Sequence, residues 1–74
     1  MTTNIDNFHR EILQVIAGKN GRPVGPLNIG SALGLTGEQV RPELLTLEQG
    51  GYLNRGKYNL YSLSEAGRAA LVGV

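Results

Sequence analysis

The sequence predicts an α+β domain, mostly helical, with a three-helix core, a β-hairpin and a short C-terminal helix. Two observations predict it. Apolar residues recur at helical spacing in three successive segments separated by glycine- and proline-bearing turns. Beyond them, strand-forming residues flank Gly56 between Tyr52 and Leu63, which is hairpin text. A chain of 74 residues has room for one domain, expected to span 1–74.

Each element follows from local chemistry. Ile5, Phe8, Ile12, Val15 and Ile16 define an amphipathic helix over about 5–17. Gly18 and the polar run Lys19-Asn20-Gly21 stop it. Arg22-Pro23-Val24 is extended, because the residue before a proline avoids the helical region and valine favours strand. Pro26 opens a second helix over about 26–33, with Leu27, Ile29, Ala32 and Leu33 as its apolar content and Gly34 as a left-handed cap. Thr36 and Gln39 have the spacing of a capping box, so a third helix runs over about 37–49 with Val40, Leu44 and Leu47 inward. Gly50-Gly51 ends it, and the hairpin occupies about 52–63 with Gly56 near its tip. Among Tyr52, Tyr58 and Tyr61, alternation turns at least one inward against the third helix. Ser64 caps a last helix over about 65–72.

Pro42 is the one residue at odds with its element. In a helix interior it removes the bond to the Glu38 carbonyl and crowds that group, at a cost of about 3 kcal/mol. One remedy is a loose first turn from Gly37 to Val40, with the regular helix restarting at Pro42; otherwise the surface simply tolerates a kink, or a kinked, partly apolar helix presents a surface to another protein.

Composition excludes several function classes. The chain has no cysteine and a single histidine, His9, expected to be a solvated helix residue, so no metal or thiol chemistry is implied. Ser31, Ser62 and Ser64 lack histidine–acid partners, and Gly30 to Gly34 has neither the lysine nor the following helix of a phosphate loop. The reading is therefore no enzyme and no cofactor. No apolar run approaches the roughly 20 residues of a membrane span, and the first residues lack a secretory pattern, which points to the cytoplasm. A domain this small buries only about 60% of its unfolded surface, which makes a homodimer the expected state. The first helix and Ala69-Ala70-Leu71-Val72 are the candidate surfaces.

The order from Leu33 to Gly67, a helix end, tight turn, capped helix, hairpin and helix start, is the wiring of a winged helix-turn-helix. The motifs Leu33-Gly-Leu-Thr36, the run LEQGGYLNR from Leu47 to Arg55, and YSLSEAGRAAL from Tyr61 to Leu71 resemble the DNA-binding domain of winged-helix bacterial regulators of the MarR, PadR and ArsR kind. The resemblance implies double-stranded DNA as the partner, with the third helix in the major groove and the hairpin wing on the backbone. It would bring Thr36, Glu38, Gln39, Arg41 and Thr46 of that helix, and Arg55 and Lys57 of the wing, to DNA.

The charge pattern keeps a second reading open. Dedicated nucleic-acid binders are usually strongly basic, whereas this chain has a formal net charge of +1. Glu38, Glu43 and Glu48 share the third helix, and Pro42 and Leu45 lie on its outer side. That face also suits a protein-interaction module: an adaptor, an antirepressor or an assembly subunit.

Overall fold

In a computed structural model that describes residues 6–72, Asp6 opens the first helix, its carboxylate accepting from the His9 N–H at 2.8 Å. Helix α1 runs Asn7–Ala17 and buries Ile12, Leu13 and Ile16. Leu13, fully buried, is a core residue that the apolar spacing left out, while Phe8 and Val15 pack at its margin. Ile5 lies outside the described residues.

The chain then reverses through Asn20 and Gly21, both at positive φ, into Val24. Helix α2 spans Pro26–Leu33 and buries Ile29 and Gly30. Of its apolar residues, Leu27 points to solvent at 73% exposure and Ala32 is exposed too, while Leu33 is half-buried. Gly34 adopts φ 74 and closes the helix, its N–H donating to the Gly30 and Ser31 carbonyls.

Helix α3 covers Gly37–Gln49 with both halves of the capping box formed, at 3.1 Å and 2.9 Å, and with Val40, Leu44 and Leu47 buried. It runs unbroken through Pro42, so the loose first turn with a restart does not occur. The box fixes the start at Thr36, and Glu38, whose carbonyl loses its helical partner, sits on the exposed side, where leaving that group without a protein partner costs least.

Gly50 and Gly51, the latter at φ 87, lead into strand β1 (Leu53–Arg55), which pairs antiparallel with β2 (Tyr61–Leu63) in the register Leu53↔Leu63, Asn54↔Ser62, Arg55↔Tyr61. Val24 adds an isolated bridge to Tyr61, with backbone bonds of 2.8 Å and 2.7 Å, so the extended Arg22–Val24 piece borders the sheet. The hairpin tip is a tight turn from Lys57 to Leu60, one residue beyond Gly56, with Tyr58 and Asn59 both at positive φ and the Leu60 N–H donating to the Lys57 carbonyl at 3.3 Å. Tyr61 is buried in the common core, Tyr52 is half-buried and Tyr58 is 87% exposed. Helix α4 (Glu65–Val72) starts on the Ser64 cap, whose Oγ accepts from the Gly67 N–H at 3.1 Å. Of the C-terminal quartet, Ala70 is in the core and Leu71 half-buried, leaving Ala69 and Val72 exposed.

Two glycines let these elements meet. A Cβ on Gly30 would stand 2.7 Å from the Leu35 carbonyl oxygen, so α2 reaches the turn before α3 only because that carbon is missing. A Cβ on Gly67 would collide with the Tyr52 carbonyl oxygen, where α4 passes the base of the hairpin.

Candidate nucleic-acid interface

Burial of Val40, Leu44 and Leu47 turns the opposite face of α3 outward at about 100° per residue. Glu38, Arg41, Pro42 and Leu45 line an open, shallow depression there, with Leu45 44% exposed. Arg41 has no carboxylate within ion-pair distance among the described residues. Its guanidinium is the free cationic group of the helix.

The other named positions on α3 are partly engaged. The Thr36 hydroxyl accepts from the Gln39 N–H, and the Gln39 side-chain oxygen accepts from the Thr36 N–H. The capping box therefore occupies the oxygen that a bidentate contact to adenine would need, leaving the amide N–H₂ of Gln39 as the outward donor. The Thr46 hydroxyl donates to the Pro42 carbonyl at 3.0 Å and keeps its lone pairs.

Two of the three α3 glutamates are drawn aside by partners that helical spacing could not reveal. His9 is not the solvated residue expected. Its side chain is only 16% exposed, and its Nε2 donates to Glu43 Oε1 at 2.6 Å, tying α1 to α3 across 34 residues. A carboxylate can only accept, so the proton belongs on Nε2. Glu48 Oε2 lies 3.4 Å from Arg55 Nε, while its Oε1 is buried without a partner. Glu38 remains as the acidic group of the outer face.

The same Arg55–Glu48 pair changes the wing. Arg55 sits on β1, not at the tip, and braces the hairpin against α3. Its other guanidinium N–H groups are left for an anion. Lys57 is exposed in the tip turn. The structure thus brings Arg41, Gln39 and Thr46 onto one helix, braces Arg55 behind it and sets Lys57 apart on the tip.

Tyr58 and Leu27 are exposed groups that the sequence reading did not single out. The available signals were an aromatic residue in a turn beside Asn59, and a leucine one place after the helix-opening Pro26. Among the described residues, no cluster of three or more potential metal ligands forms, and no helix is long and apolar enough to cross a membrane.

The chain matches no family model, and no curated protein matches it. It is similar to a protein from Pseudomonas aeruginosa PA01 whose crystal structure carries the provisional description of a transcriptional regulator. The TM-score is 0.81 and the identity 29%, with 89% of this chain and 47% of that one covered. The chain spans about half the length of this neighbour. Four helices and a two-stranded hairpin in this order are a winged helix.

Proposed function

We propose that the chain is a sequence-specific double-stranded DNA-binding protein, a transcriptional regulator that acts as a homodimer on a two-fold related site. The observation that carries this reading is the winged helix itself, with an unpaired Arg41 on the outer face of α3 and an exposed Lys57 on the wing. The regulator description of the Pseudomonas aeruginosa neighbour supports it. Arg41 bonds guanine in the major groove, a contact worth about 1–3 kcal/mol of discrimination. Glu38 accepts from cytosine, Gln39 and Thr46 supply further polar contacts, and Leu45 meets a thymine methyl. Arg55 and Lys57 hold phosphates, and Thr36 sets the positive end of α3 beside the backbone.

The experiment is fluorescence anisotropy with a labelled random-sequence duplex at low and at moderate salt. Binding should weaken with salt at a log–log slope of about −0.9 per phosphate contact. A folded protein that leaves the duplex free at low salt overturns the proposal.

The specific observation for a second reading is apolar exposure. Leu27 at 73% and Leu45 at 44% are large apolar side chains left in water, the latter beside Pro42. If this face docks a protein, Leu45→Asp abolishes partner binding without unfolding the domain. Unchanged binding by that variant rules this reading out.

A further inference from the structure

Away from α3, the end of α1, the turn after it, β2 and α4 enclose a depression of about 450 Å³. Arg22 comes from the turn and Arg68 from α4, with Asn20 and Ser62 beside them and Ala17 and Leu63 as the accessible apolar lining over the buried Ile16. No carboxylate lines it, and neither guanidinium has one within ion-pair distance among the described residues. Two unpaired arginines from elements far apart in sequence thus open onto one concave surface without a counter-charge.

We propose that this depression binds a small phosphorylated molecule. Two guanidinium forks, an amide and a hydroxyl are four donor groups around one space. They suit a tetrahedral oxyanion with about two negative charges better than a carboxylate, with two oxygens and one charge. The Ala17–Leu63 floor takes the organic part of the molecule, as apolar linings do where a few polar groups fix orientation. The proposal is independent of the DNA reading, since no residue of α3 lines the depression.

The test follows backbone amide NMR signals while inorganic phosphate, and then phenyl phosphate, is added at fixed ionic strength. Saturable shifts are expected at Asn20, Gly21, Arg22, Ser62 and Arg68, with phenyl phosphate the tighter of the two. Arg22→Gln and Arg68→Gln should each weaken binding about tenfold or more, the size of one charge-assisted hydrogen bond. Arg41→Ala should leave it unchanged. Shifts that never saturate, or binding that survives both glutamine variants, overturn the proposal. If a DNA duplex shifts the same amides and displaces phenyl phosphate, the bound oxyanion is the nucleic-acid backbone and the small-molecule site is refuted.

Discussion

The helix-turn-helix pair and the hairpin wing are held in place by opposite means. Between α2 and α3 the chain is closed by backbone: Gly34 caps one helix, Thr36 and Gln39 cap the next, and Gly30 lets the turn lie directly on α2. The wing is held at its base, by the buried Leu53 and Tyr61, the Val24–Tyr61 bridge, the Gly67–Tyr52 approach and the Arg55–Glu48 pair. Its tip carries two consecutive non-glycine residues in the left-handed region, Tyr58 at φ 61 and Asn59 at φ 57. The left-handed conformation costs L-residues about 1–2 kcal/mol each, asparagine less than most. The difference teaches that a helix aimed by backbone contacts suits base-edge geometry, whereas a tip free of packing suits tolerant backbone contact.

The comparison can be broken first at the two glycines. Gly67→Ala sets a Cβ against the Tyr52 carbonyl oxygen, the closest such approach among the described glycines, and should cost about 3 kcal/mol or more. Urea unfolding measures it, and wild-type stability would show that the wing base relaxes freely. Gly30→Ala, with its 2.7 Å approach, should cost about 2–3 kcal/mol by the same assay. It should also weaken DNA binding by displacing α3; binding that keeps full affinity would uncouple the turn from the helix it aims.

Side chains sharpen the comparison at smaller effects. Arg41→Ala should lower discrimination between operator and random duplex by about 1–3 kcal/mol. Lys57→Ala should weaken both duplexes alike and reduce the salt slope by about 1. Equal behaviour of the two variants in anisotropy titrations would erase the proposed division between helix and wing. His9→Ala removes a part-buried bond to Glu43 and should cost about 1–2 kcal/mol in thermal unfolding. Tyr58→Gly, the smallest effect, should stabilise by about 1 kcal/mol by releasing left-handed strain. A loss there would mean that the tyrosine ring packs on the hairpin despite its exposure.

What the sequence by itself determined is what neighbouring residues decide among themselves. Thr36 and Gln39 stand three apart, Gly34 follows a helix, Pro26 precedes one, and Val40, Leu44 and Leu47 share a face. Such bonds and periodicities close within a turn or two, so they leave a trace in spacing. The helices and the hairpin were therefore legible to within a residue or two, along with the outward position of Arg41 and Lys57. Only the tertiary structure decided that His9 belongs to Glu43, that Arg55 belongs to Glu48, and that Arg22 and Arg68 share a depression. It also decided which glycines are contacts and not merely turns. Those relations depend on how α1, the hairpin and α4 pack around one core: His9 and Glu43 stand 34 positions apart, and even Arg55 and Glu48 meet only because the chain reverses between helix and hairpin. Local spacing carries no record of it.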